Sequence, residues 1–160
     1  MTNRFINRRD LDFVLYEFLD VESFCSWQHF SEHDRQTFDG VLDLSTAIAR
    51  DCFLPHARTL DEQEPEFDDG RVILPPEVQE GVDAYLESGL MRAHLTFEED
   101  GMQLPTTVSQ AAIGMMYAAN VSIASYPLLT AGAANLIRAL GTDEQRARYE
   151  APMWEGRFFG

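Results

Sequence analysis

The sequence predicts an all-α fold, a bundle of about six helices, on three observations. Apolar residues recur at steps of three and four in one segment after another. Helix stops and starts punctuate those segments, with glycines such as Gly89 and Gly141 at the ends and the run Thr142-Asp143-Glu144-Gln145 opening the last one. No period-2 alternation of useful length and no internal repeat competes with that pattern.

The elements follow in order. RRDLDFVLYEFLDVESFCSW places Leu11, Leu15, Phe18 and Leu19 at helical spacing, with a further half-turn around Phe24 and Trp27. A helix this short is unstable alone and must dock on something. A longer helix is expected from Asp34 to Leu60, with Phe38, Leu42, Ser45, Ala49, Cys52, Phe53 and His56 as its inward stripe and Pro55 as a kink. DEQEPEFDDGRVILPP reads as solvated loop, with a turn at Asp69-Gly70 and a short extended piece from Val72 to Leu74. Pro75-Pro76 opens the next helix, with Val78, Val82 and Leu86 inward and Gly89 as its stop. FEEDGMQLP is a polar turn. From Thr106 the residues Val108, Ala111, Ala112, Met115 and Ala119 mark a largely buried helix that Asn120 ends. Another runs from Ser125 or Pro127 to Leu140. The last begins in the capping box of Thr142 and Gln145, is interrupted by Pro152 and stops near Gly156.

Composition narrows the function classes. The chain has 160 residues, 45% of them apolar, which suits one folded domain. Its apolar runs are too short to span a bilayer, and the basic start MTNRFINRRD leads into an acidic segment instead of the apolar run of a secretory signal. A soluble, cytoplasmic protein is expected. The formal charge of −15 repels phosphate backbones, so nucleic acid is excluded as a partner, and it offers no broad attraction for the anionic end of a CoA ester. Cys25 and Cys52 form no metal framework and read as reduced and structural.

Side chains able to do chemistry are sparse. His29 and His33 are four apart, but no spacing supplies the three or four ligands that zinc takes, so both read as packing or surface groups. His56 lies on an apolar stripe as a core histidine, and His94 sits near a turn. Glu98, Glu99 and Asp100 could raise one another's pKa, yet a solvated acidic loop explains them as well. No glycine-rich phosphate loop and no nucleophile elbow is present. The group Met115-Met116-Tyr117 is the apolar feature to watch, since methionine can line a pocket of variable shape, although core packing accounts for it too.

Several stretches carry a resemblance. RDLDFVLYEFLDVE resembles the N-terminal extension of the long, bacterial type of acyl-CoA dehydrogenase. DCFLPHARTLDEQEPEFDDGRVILPPEVQE is similar to the segment after that family's first long helix. LPTTVSQAAIGMMYAAN and SYPLLTAGAANLIRALGTDEQRARYEAPMWEGRFFG look like the last helices of its N-terminal domain, and the closing GTDEQRARY with a following proline and Glu-Gly is the most specific piece. The likeness divides the chain into an extension, 1–32, and a helical N-terminal domain, 33–160. One departure concerns the glycine-rich turn that usually precedes Leu-Pro in the family. Here it reads Glu99-Asp100-Gly101-Met102-Gln103-Leu104-Pro105, which puts the conformation of that loop in doubt.

The resemblance implies a three-domain enzyme in which a glutamate removes the α proton of an acyl-CoA and FAD takes a hydride from the β carbon. It implies acyl-CoA as substrate, an electron-transfer acceptor as partner and a homo-oligomer. The flavin segment and the catalytic base are expected beyond these 160 residues, so no catalytic, principal flavin-binding or metal residue is assigned, no FAD is expected on this chain alone, and this chain alone is expected to be inactive. What it implies here is a wall of the acyl pocket, formed by Met115, Met116, Ala119, Tyr126 and Leu129. The alternative is a non-enzymatic helical interaction module, or a partner subunit, that has lost flavin binding.

Overall fold

The computed structural model describes residues 5–159; residues 1–4 and Gly160, the outer ends of the two expected segments, lie outside them. The all-α class holds. α1 (Arg8–Asp12) runs into a π-helical turn, Phe13–Phe18, and short 3-10 turns follow at Val21–Ser26 and Gln28–Phe30. The wider π turn holds more residues per revolution than an α-helix, so it rotates the expected stripe. Leu15 stays buried, Tyr16 comes inward, and Phe18 and Leu19 end up exposed. The Tyr16 hydroxyl donates to Asp39 at 2.9 Å, and Arg8 pairs with Asp12, Asp39 and Asp43, which fastens α1 to the next helix.

The expected long helix is divided. Asp34 caps α2 (Arg35–Ile48) by accepting from the Thr37 amide at 2.7 Å. A π turn, Ala49–Phe53, and a 3-10 turn, Leu54–His56, then lead to α3 (Ala57–Glu62). Pro55 is the reason: it has no N–H, and its ring crowds the carbonyl four residues back, so the turn before it loosens. The stripe survives, with Phe38, Leu42, Ser45, Ala49 and Phe53 all buried. Beyond α3 the expected loop holds a small hairpin, β1 (Glu66–Asp68) against β2 (Arg71–Ile73), antiparallel with Phe67 opposite Val72. Asp69 and Gly70 at its tip both have positive φ, 44° and 77°, the conformation a tight two-residue hairpin turn needs.

α4 (Pro76–Glu87) buries Val78, Gly81, Val82 and Tyr85, with Leu86 half-buried, and ends before Gly89 at φ 77°. α5 (Thr106–Ala119) packs on α2 and on α6 (Val121–Leu140), which also touches α3 and α4. α6 begins four to six residues earlier than expected. Pro127 sits inside this helix, not in its first turn, and the start is set by Asn120. The Asn120 side-chain oxygen accepts from the Ser122 and Ile123 amides at 3.1 and 3.3 Å, while its Nδ2 donates to the Phe53 carbonyl at 3.1 Å. Asn120→Ala removes the cap and orphans a buried carbonyl. It should destabilise the domain by about 2 kcal/mol, read by urea denaturation. A loss below about 0.5 kcal/mol would show that the cap is replaceable.

α7 (Asp143–Gln145) opens in the expected capping box, passes through a π turn at Arg146–Glu150 into α8 (Ala151–Trp154), and the chain leaves through Gly156 at φ 72°. Among the described residues no helix is long and apolar enough to cross a membrane.

Candidate functional site

α6 is the element around which a site is built. Ile123, Ala124, Pro127, Thr130 and Ala134 face inward and are buried. Val121, Ser125, Leu128, Leu129, Gly132, Leu136 and Leu140 recur at steps of three and four on the opposite side, within about 120° of arc at 100° per residue. Of these, Leu129 is 60% exposed and Leu140 80%. A helix whose outer face is also apolar lacks the polar side of an ordinary surface helix. Gly132 lies in the middle of that face, and a Cβ built on it meets nothing within 4 Å, so no packing inside this domain requires a glycine there.

Of the clefts along this face, one beside Leu136 and Leu140 holds none of the expected wall residues, and two others hold some of them. The first of these two, of about 240 Å³, lies between α5 and α6; Tyr85, Met91, His94, Thr106, Gln110, Ile113 and Met116 line one side, and Ala124, Pro127, Leu128, Ala131, Gly132 and Asn135 the other. The second, of about 490 Å³, is bounded by Val72, Leu74, Val78, Gln79, Val82, Ser125, Tyr126, Leu129 and Phe159. The five residues expected to form one wall are therefore separated. Met116 lines the first cleft, Tyr126 and Leu129 line the second, and Met115 and Ala119 line neither. Met115 and Ala119 share a face because they are four apart, and that face is buried; the Thr46 hydroxyl sits 3.1 Å from the Met115 sulfur across the α2 contact.

The sequence held a signal for the first cleft that the expected wall overlooked. Thr106, Gln110, Ile113 and Met116 follow one another at helical steps along α5, as do Ala124, Leu128, Ala131 and Asn135 along α6. Tyr85, Met91 and His94 come from elsewhere and carry no periodic signature. Burial pushes the Tyr85 hydroxyl well above the usual tyrosine range, so it stays neutral and can only give or accept hydrogen bonds. His94 Nε2 meets Asn135 Oδ1 at 3.1 Å and its ring lies edge-on to Trp154, which ties the mouth of the cleft to α6 and α8.

In the acidic turn, Glu99 is engaged in a structural contact. Burial pushes the Glu99 carboxyl up, but bonds from Arg138 and Thr96 outweigh it and hold that group below the ordinary carboxylate range. Arg138 donates to both Glu99 oxygens at 2.7 Å, which fastens the turn to α6. His33 is buried between the rings of Phe38 and Phe97 in a packing role, and His56 is half-buried on its stripe. Cys25 and Cys52 are half-buried free thiols, and burial raises both. Among the described residues no cluster of three or more potential ligands could hold a metal ion.

A flavin dinucleotide needs cations or a cradle of backbone N–H groups for its pyrophosphate. All the basic residues here are arginines, and Arg8, Arg9, Arg35, Arg50, Arg58, Arg138, Arg146 and Arg157 are engaged by carboxylates. Arg92 donates to the Trp154 carbonyl. Among the described residues that leaves Arg148, which lies over the Tyr149 ring, and Arg71 on the exposed hairpin. Neither lines the clefts of about 240 and 490 Å³, so those clefts offer a pyrophosphate no arginine.

Comparison with known proteins agrees with the helical architecture. The family model described as "Acyl-CoA dehydrogenase, N-terminal domain" matches residues 40–157. The chain is 26% identical over 152 residues to a 3-methylmercaptopropionyl-CoA dehydrogenase of Ruegeria pomeroyi, covering 95% of this chain and 26% of that protein. It is 25% identical over 162 residues to a butyryl-CoA dehydrogenase of Syntrophomonas wolfei subsp. wolfei, covering 99% of this chain and 26% of that one. The chain thus spans about a quarter of the length of the curated relatives it matches.

Proposed function

Because the chain belongs to the acyl-CoA dehydrogenase family, as its N-terminal domain, we propose that it serves a protein that performs α,β-dehydrogenation of an acyl-CoA thioester. Its own part is to wall the space that takes the acyl chain. FAD, held by residues outside those described, is the hydride acceptor in this reading, and an electron-transfer acceptor reoxidises it. The reading places the enzyme in the cytoplasm as a homo-oligomer.

The observation that carries this reading is the outward face of α6. Five exposed apolar side chains line it, and Ser125 and Gly132 leave a trough between them. Such a trough removes a hydrocarbon chain from water along its length, at ~25 cal/mol per Å² of apolar surface, once a second body closes over it. The wall differs from the one expected from sequence: Leu128, Leu129 and Gly132 with Met116 and Tyr126 at its edges, and without Met115 and Ala119.

Gly132 supplies the test. A Cβ there meets nothing within 4 Å, and loss of a mid-helix glycine favours the helix by about 0.8 kcal/mol, so Gly132→Leu should fold normally. In the full-length enzyme the new side chain fills the trough beside Leu128. Steady-state kinetics across a series of acyl-CoA lengths should show kcat/KM falling about tenfold or more for long chains relative to short ones. An unchanged length profile in a normally folded variant would remove α6 from the acyl wall.

A further inference from the structure

We propose that Gln103 is a positioning residue through which the N-terminal segment, residues 8–33, sets the Met91–His94 wall of the cleft between α5 and α6. The family match begins at residue 40, so the segment that does this lies outside the part shared with the family model.

The chain of contacts is continuous. Gln103 Nε2 donates to the His29 carbonyl at 2.6 Å, and the His33 ring Nε2 donates to the Gln103 carbonyl at 2.9 Å. His33 is held in place between Phe38 and Phe97, with ring centroids 5.9 and 5.8 Å away. Gln103 thus meets the N-terminal segment with its side chain and, through its carbonyl, with its backbone. On its other side the Gln103 amide donates to the Leu95 carbonyl at 2.7 Å and the Leu104 amide to the Ala93 carbonyl at 2.9 Å. Those bonds fix the strand of chain that carries Met91 and His94 into the cleft.

The backbone of Gln103 shows that this arrangement is held from outside the loop. Its φ is 50°, in the left-handed region where a residue with a Cβ is disfavoured by roughly 1 kcal/mol. A glutamine persists there only when its surroundings over-determine it. A glycine would relieve the backbone and lose the bond to His29. The side chain is therefore accounted for by what it grips.

The segment is anchored independently at its far end. Arg8 and Tyr16 bind Asp39 on α2, and Arg35 lies 4.0 Å over the Tyr16 ring. It is a strap fixed at both ends, on α2 by ionic contacts and on the turn before α5 by hydrogen bonds. The consequence for the acyl wall rests on the dehydrogenase reading; the mechanical link from strap to cleft does not.

The test separates the two. In the 160-residue chain labelled with ¹³C-methyl methionine, Met91 and Met116 report on the cleft, and Met115, buried against α2, serves as the reference. Gln103→Gly removes the grip while relieving the positive φ. Gln103→Glu keeps the length but cannot donate to the His29 carbonyl. Both should shift or broaden the Met91 and Met116 methyl signals and leave Met115 in place. In the full-length enzyme both should raise KM for acyl-CoA about fivefold, with kcat within about twofold. Methyl shifts in an enzyme inert towards every acyl-CoA would keep the positioning role and overturn only the dehydrogenase reading. Unmoved Met91 and Met116 signals in both folded variants would overturn the proposal whatever the kinetics, as would a displacement of Met115 equal to theirs.

Discussion

Gly101→Ala is expected to destabilise this domain more than any other single-methyl addition in the turn before α5, by about 3 kcal/mol or more. A Cβ at that position would stand 2.1 Å from the Leu95 carbonyl oxygen and 2.6 Å from the Leu95 Cβ. The neighbours are backbone, so the clash cannot be relieved by a side chain turning away. The same Leu95 carbonyl accepts from the Gln103 amide at 2.7 Å, and the Gly101 amide donates to the Thr96 carbonyl at 2.9 Å, so a displacement large enough to admit the methyl group breaks the turn. For a domain of this size the loss corresponds to a drop in Tm of roughly 6–12 °C, measured by calorimetry or circular dichroism. Gly114→Ala is the control. It lies within α5 with nothing within 4 Å of its Cβ, and it should raise stability by up to about 1 kcal/mol. Equal and small effects at the two positions would mean that the turn yields.

That turn also shows how far the sequence was legible. The departure from a glycine-rich Leu-Pro turn put its conformation in doubt on the ground that glycine supplies positive φ. The structure does use positive φ there, but at Asp100 and Gln103, with φ 55° and 50°. Gly101 does a different job, leaving room for the Leu95 carbonyl. A sequence names the glycine and leaves open which of its two properties, freedom of φ or absence of a Cβ, a loop is using.

The helices were readable because their periodicity is local and their caps are short-range. Asp34, Gly89, the box of Thr142 and Gln145, and the stop at Gly156 all act within a few residues. The hairpin was not, since three residues a side are too few to show alternation, although its Asp69-Gly70 tip was found. Inward faces were readable on α2, where the apolar stripe is narrow. They were ambiguous on α5 and α6, which are apolar on more than one side, so spacing could not tell the face toward α2 from the face toward a cleft. Met115 and Met116 are neighbours in sequence and look alike. The 100° between them puts one against α2 and the other in the cleft. His94 and Tyr85 reach the same cleft only through tertiary packing, and no window on the chain brings them together.

The outward face of α6 leads to the second large effect, self-association of the 160-residue chain. Leu128, Leu129, Leu136 and Leu140 stand exposed along one side of a single helix, and a contiguous apolar strip of this kind draws a partner surface over it. Met115 and Ala119, which a reading of α5 as an outer wall would add to that surface, are buried and take no part. Burying a leucine fully is worth ~1.5–3 kcal/mol, so the four exposed leucines of each copy, taken over both copies, supply the apolar gain that offsets the cost of association. The formal charge of −15 opposes it at long range. Because that repulsion is screened over about 10 Å at 0.1 M salt while an apolar contact is not, association should hold or strengthen as salt rises. Sedimentation velocity over a range of concentration and salt would measure this. Leu129→Glu with Leu136→Glu, both at exposed positions away from the core, should return the chain to monomer with its helical circular dichroism intact. A wild-type chain that sediments as a monomer at high concentration in every salt would show that the apolar face of α6 is already satisfied within one copy, and that it does not wait for a covering body.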